Sequence, residues 1–515
     1  MKIDDLLKKP LWRRRVSRQQ QVKSSMGAYI NNSLMEAMEF DRGKDRLMSQ
    51  TDFMDELNAE SHMIHNVNYR SNRPKLKYNK ETEQNDVIGF EDVERVSIAL
   101  QESLRRTKSV CTFGNDIWIG NEGTEEQTDE IINLKSHWNM AGMQKALLQF
   151  ARSAFGTGDS AIYLYRDGNR VNYKVFSFED GDVIAENIHP VTKEKVFVRM
   201  YNKDDIQAVE VYGSKYVEIW AKESDRSKLS KWWGQNITKT VSEDGYTLVK
   251  RELHGSDECP VVYHREKDVC WGEGQTIIER IEKILSDLAE NNRYYAFQML
   301  FLTGGLIQLP DVGWQGKVLA SKSDDGTAKV LEPADCSNSF ELDLNTNTKL
   351  LYEVTSTTVV TPEDLKGGDY SGAYIRNLYF RDVQWTTEAS ARLDPFMKKL
   401  LSIFASLVGK IEGDVTKYEN LRLSYKIIPY LPQNELEEIT ILTMGVNSGF
   451  MSIETATEES PRSNPEEMKR IRAEIAERDE RDKAKEEAKV NDGKEDINSI
   501  LKIDNRAKGK NFEEE

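Results

Sequence analysis

The sequence predicts an α+β protein in which helical blocks and antiparallel strands occupy separate stretches of the chain. Three observations carry that class. Between 126 and 155 apolar residues recur at helical spacing: Ile131, Ile132, Leu134, Trp138, Met143, Ala146, Leu147 and Phe150. From Ser160 the period changes to two, in a run rich in Tyr, Val and Ile with a turn signal at Asp167 and Gly168. Between 274 and 301 the helical period returns, with Ile277, Ile278, Ile281, Ile284, Leu285 and Leu288 on one side. The other side carries Glu279, Glu282, Asp287 and Glu290, which predicts an acidic outer face.

In chain order, the first 26 residues are basic and Gln-rich, and Pro10 interrupts any helix begun before it. KKPLWRRR reads as a mobile arm, or as a contact for anionic lipid, DNA or an acidic partner. Residues 27–150 read as mainly helical, with helices over 90–106 and 126–155, the second stopped by the glycines after Phe155. Strands follow at 195–202, 208–223 and 246–253, and PVVYH (260–264) precedes the 274–301 block. Residues 306–341 lean to strands with Gly, Asp and Pro turns. A short helix over 346–356 leads into a polar glycine loop, 361–372. A long helix is expected from 373 to 409, kinked near 391–393 because Pro395 lacks an N–H and crowds the preceding turn. A strand over 418–428, a helix over 433–444 and a helix from Pro465 capped by Asn464 complete the ordered part; beyond 488 the chain is polar and predicted disordered.

Composition limits function. The chain has 515 residues, a net charge of −16 and 31% charged residues. No uncharged apolar run reaches the roughly 18 residues a spanning helix needs, and the start lacks a signal-like apolar segment, so a non-secreted protein without membrane contact is expected. A protein that wraps nucleic acid clusters positive charge to displace counterions, which this chain does not do globally. Cys111, Cys259, Cys270 and Cys336 form no CxxC pair and read as free thiols, and His62 and His65 read as local packing residues. GWQGKV and FGTGDSA lack the Lys–hydroxyl ending of a phosphate cradle, and FGTGDS lacks the third glycine of a dinucleotide fingerprint. No GxSxG, HExxH or kinase set is present, and the acids at 179–182 and 323–325 fall at turn signals. The expectation is therefore no enzyme, no catalytic or metal residue and no cofactor.

Four stretches in order carry a resemblance. They are the helix–glycine–hairpin run at 151–184, and the PVV strand with its following helix at 259–292. The GGDYSGAY loop with the long helix at 367–404 and the C-terminal run LPQNE…SIETATEESPRSNPEE within 431–474 complete the set. Together they resemble portal proteins of tailed bacteriophages, of the long-tailed type, over about 90–480; Phe178 stands where that family usually has proline. The resemblance implies a portal fold. Its parts would be a basic arm (1–26), a helical and β wing (27–270), a stem helix (271–303), a clip (304–342), a second stem helix (343–360), a tunnel loop (361–372), a kinked helix returning to the wing (373–430), a crown (431–489) and a tail (490–515).

It further implies a homo-oligomeric ring of about twelve copies at one capsid vertex, closed head to tail. Double-stranded DNA would pass through it. The implied partners are the terminase large subunit, a head–tail adaptor, and the major capsid and scaffolding proteins, in the virion and, during assembly, the host cytoplasm. An acidic channel keeps a duplex centred, which makes Glu279, Glu282, Asp287 and Glu290 candidates for the lining. Lys366, flanked by Glu363, Asp364 and Asp369, is the candidate for brief grip in the tunnel loop, and Gly367 and Gly368 let that loop move. Leu306, Val312 and Trp314 are candidate docking anchors in the clip, though Trp314 equally suits a local core. Another phage head or tail component, and a DNA-cleaving or terminase-like enzyme, are the rival classes; the missing Walker motif weighs against the latter.

Overall fold

The computed structural model describes residues 12–15, 45–48, 50–79, 84–121, 129–188, 193–203, 206–223, 226–234, 237, 240–242, 245–295, 299–303, 306–308, 320–321, 327–331, 337–359, 377–431, 435–460, 470–478 and 481. The chain divides into two compact units, Met1–Leu365 with Leu378–Leu431, and Lys366–Asn377 with Pro432–Glu515.

In the first unit β1 (Trp12–Arg15) and β2 (Asp45–Met48) form an antiparallel pair. Helix α1 (Gln50–Leu57) precedes a hairpin of β3 (Arg73–Asn79) and β4 (Gln84–Glu91). Phe90 thus lies in a strand, residues 92–99 are in neither helix nor strand, and α2 begins only at Leu100 and runs to Phe113, which corrects the helix expected over 90–106. After β5 (Trp118–Asn121) the helix expected over 126–155 is two helices, α3 (Asp129–Ala141) and α4 (Met143–Thr157). Gly142 between them has φ +68°, a left-handed conformation that breaks the ladder and that glycine adopts without strain. Gly158, φ +90°, closes α4 as the sequence predicts.

Strands β6 (Asp159–Asp167) and β7 (Arg170–Phe176) form the expected hairpin, but Asp167 pairs with Arg170, so the turn is Gly168 and Asn169. β8 (Val183–Ile188), β9 (Lys195–Lys203), β10 (Ile206–Tyr212), β11 (Tyr216–Ala221) and, after α5 (Arg226–Trp233), β12 (Thr247–Leu253) form an antiparallel sheet ordered β12-β11-β10-β9-β8. β13 (Val261–Arg265) joins a second sheet, β13-β6-β7. Ala161, Phe176 and Val261 pack on Ile184, Phe197 and Tyr212, which holds the sheets together. Arg199 adds a buried clamp to Asp182 (2.8 Å) and Glu210 (3.1 Å), so Asp182 is more than a turn residue.

Helix α6 (Gln275–Tyr295) falls within the 271–303 given for the stem helix, and β14 (Met299–Thr303) follows it. β15 (Leu306–Gln308), β16 (Ala320–Ser321) and β17 (Thr327–Leu331) form two short antiparallel pairs, β14 with β17 and β15 with β16. α7 spans Ser337–Val354, longer than the 346–356 expected. α8 (Phe380–Glu412) is continuous across Pro395, and is followed by α9 (Val415–Glu419) and β18 (Leu423–Lys426), where one strand over 418–428 was expected.

The main core is the meeting of α8 with α4 and the β6–β7 hairpin. Leu393, Phe396, Met397, Leu400, Phe404, Leu407 and Val408 recur three and four apart on α8 and are buried. They face Ala146, Leu147, Phe150, Ala151 and Ala154 of α4 and Ile162 and Leu164 of β6. Phe396 stacks on Phe150 at 4.0 Å between centroids, and Trp138 meets Phe404 edge-on at 5.1 Å. Each such side chain contributes about 1.5–3 kcal/mol by leaving water. The second unit contains α10 (Glu435–Asn447), α11 (Ile453–Glu459), capped by the Ser452 hydroxyl, and a helical stretch at 470–478. α11 is absent from the sequence reading, although Ser452 is a favoured N-cap residue type.

Candidate functional site

Two places gather polar side chains in unusual order. The first is the flank of α6 that meets 56–98. Glu282, Ser286 and Glu290 stand four apart and stack along one helix face, about 6 Å from one to the next. Alternate residues of an extended chain repeat at about 6.6 Å, so a strand laid beside that face keeps step with it. The segment 94–98 does so, running antiparallel to α6. The N–H of Ile98 donates to Glu282 (3.0 Å), that of Val96 to the Ser286 hydroxyl (2.8 Å) and that of Glu94 to Glu290 (2.7 Å). Side chains of a helix here do the work that a neighbouring strand does in a sheet.

Charged groups reinforce the contact. His62 is buried with Nδ1 2.5 Å from Glu282, while its Nε2 lies 2.9 Å from the Glu56 carbonyl. A carbonyl only accepts, so Nε2 carries a proton, and a carboxylate facing Nδ1 draws a second. Burial lowers the imidazole pKa, but the hydrogen bond to Glu282 and its charge outweigh this and leave it above 6.5. Arg70 bonds Asp287 (2.6 Å) and the Ser286 carbonyl (3.1 Å), Arg73 reaches Glu290 (3.2 Å), and Arg293 reaches the Asp92 carbonyl (2.9 Å).

This geometry corrects the acidic outer face. Glu279, Glu282 and Glu290 are buried and engaged within the subunit, Glu279 with Gln275 at 3.1 Å. Only Asp287 is partly exposed, and it is held by Arg70. Among the described side chains of α6 the fully exposed ones are Thr276, Arg280, Lys283, Asn292 and Arg293, three of them cations. The sequence pattern misled because acids usually seek water. Here burial is compensated by backbone donors, His62 and Arg73.

The second place is the buried amine of Lys108 on α2. It donates to the Ser356 carbonyl (2.6 Å) and to Asp382 (3.0 Å), and lies 5.1 Å from the Trp385 ring. Asp382 also accepts the N–H of Thr358 (2.9 Å), and the Thr358 hydroxyl donates to the Leu378 carbonyl (3.2 Å). Lys108 and Asp382 are both buried. Burial pushes the ammonium pKa down and Asp382 opposes that. The end of α7 and the start of α8 therefore meet at one ion pair; sequence reading missed it, because a single lysine 250 residues away in the chain leaves no local signal.

Glu363, Asp364, Lys366, Gly367, Gly368 and Asp369 of the expected tunnel loop lie outside the described residues, as do Val312, Trp314, Asn464 and Cys336. Leu306 opens β15. Cys111, Cys259 and Cys270 are free thiols, and burial pushes Cys111 to about 11 and Cys270 to about 12, well away from reactive thiolates. Among the described residues no group of acids, histidines and cysteines is placed to hold a metal ion, and no helix is long and apolar enough to cross a membrane. A family model described as "phage portal protein, SPP1 Gp6-like" matches residues 53–481. No curated protein matches the chain.

Proposed function

Since the chain belongs to the phage portal protein family of the SPP1 Gp6-like type, we propose that copies of it, about twelve, close into a ring at one capsid vertex and that double-stranded DNA passes through the opening during packaging and ejection. The terminase large subunit and later a head–tail adaptor would dock on the β14–β17 region, and the ring would sit among major capsid and scaffolding proteins.

One observation supports the ring beyond family membership. α7 buries Leu351 against the core shared with α6, and Leu344 packs there too. On its other side Leu342, Leu350 and Val354 are exposed, with Thr346 between them at the same spacing of four. A helix apolar on two sides needs two partners, and the described residues supply one. A head-to-tail neighbour supplies the other. In this reading the inner wall cannot draw on Glu279, Glu282 or Glu290. Lys366 is proposed to touch DNA briefly during translocation.

End-on electron microscopy of the purified chain tests the reading: rings with a central hole are expected. A compact single subunit under all conditions, including with the capsid and scaffolding proteins present, would overturn it.

A further inference from the structure

The β3–β4 hairpin pairs with no other described strand. Among its residues with described side chains, 73–75, 86–88, 90 and 91 are exposed, and only Gly89 is half-buried. Val87, Ile88 and Phe90 are 56%, 62% and 69% exposed. A two-stranded ribbon is marginal by itself in water, and exposed apolar side chains add nothing to it. The ribbon also carries a bulge: Lys75 pairs with Gly89 and Leu76 with Val87, which leaves Ile88 as the extra residue and re-aims it. Its base, in contrast, is tied to α6 by Arg73 to Glu290 (3.2 Å) and by Arg293 to Glu91 (3.4 Å). From that base the seven residues of β3 reach about 23 Å.

We propose that this hairpin is a ring-closing arm: it extends onto the neighbouring copy of the chain, which covers Val87, Ile88 and Phe90. The inference rests on the ring proposed above. Two arguments choose a second copy as the occupant. First, the three side chains offer an apolar patch on the order of 300 Å², against the roughly 800 Å² per partner that a stable contact needs. The arm therefore suits a partner already held by other elements, and a neighbour docked along α7 is such a partner. Second, charge does not oppose the contact: β3 carries Arg73, Lys75 and Lys77, β4 carries Asp86 and Glu91, and the hairpin from 73 to 91 is neutral, so it adds nothing to the repulsion between copies of −16. A head-to-tail ring requires two unlike faces on one chain, and a fixed, uncovered ribbon is one such face.

The test uses the full chain with Ile88→Ser and Phe90→Ser together. The single subunit should keep its circular dichroism spectrum and thermal midpoint, while the subunit concentration at half-assembly, read by mass photometry, rises at least about tenfold. In rings mixed from isotopically light and heavy copies, Lys75 should cross-link between copies. Assembly of the variant at wild-type concentrations, or Lys75 cross-links confined to one chain, would overturn the inference. So would normal rings that have lost only capsid or scaffolding protein. A wild-type chain that makes no ring at all defeats the portal reading first, and is seen before any variant is made.

Discussion

Single residues already show how this chain spends its charges. Lys108 and Asp382 are buried together, and removal of one leaves the other unneutralised, which costs about 3–5 kcal/mol. Lys108→Met should therefore lower stability by that order in urea unfolding, and adding Asp382→Leu should recover part of it. Recovery is incomplete because Thr358 loses its acceptor. An unchanged unfolding midpoint in Lys108→Met would remove the pair from the account. His62 gives a pH signature. Its folded pKa is raised above 6.5, so its contribution is complete below the unfolded value and is lost as pH rises through the folded one. His62→Gln should thus destabilise more at about pH 5.5 than at about pH 8.5 in thermal melts; equal losses at both would show that the imidazole acts uncharged.

The elements depend on partners that sequence spacing does not name. The stripe Glu282–Ser286–Glu290 has the spacing of a solvated helix face, and that is how it reads in the sequence. Its true partner is the segment 94–98, some 190 residues earlier, whose N–H groups need acceptors. Ser286→Val should strand the Val96 N–H and cost about 1–3 kcal/mol, with faster amide exchange at 94–98 as the local readout. Protection unchanged at those amides would mean the segment is held otherwise. The 126–155 pattern predicted its helical content well but hid the break at Gly142, because a single glycine within a periodic run has no fixed local meaning. α6 was legible over its full 21 residues, since a long two-faced period survives any neighbour. For α7, Leu342→Lys with Leu350→Glu should abolish rings while leaving the subunit folded, because both side chains are exposed in the single subunit. Rings formed normally by that variant would refute the contact along α7.

At the scale of the whole molecule, net charge sets the conditions of assembly. Copies of −16 repel each other when they meet, and added salt screens this. Raising ionic strength from about 20 mM to about 150 mM should increase the fraction in rings, measured by light scattering. A fall would indicate that ion pairs between copies outweigh the repulsion. Lys366→Glu should leave rings intact and reduce DNA packaging; full packaging by that variant would remove Lys366 from any contact with DNA.

The sequence by itself determined the class of fold, the change from helical to alternating period at 160, the stem helix, the glycine stops and the family, because these rest on local periodicity, turn chemistry and ordered motifs. Only the tertiary structure decided which way the acids of α6 face, that Lys108 joins the end of α7 to the start of α8, and that β3–β4 stands uncovered. Burial and hydrogen-bond satisfaction belong to pairs of segments brought together in space. A carboxylate carries the same letter whether water or a backbone N–H meets it.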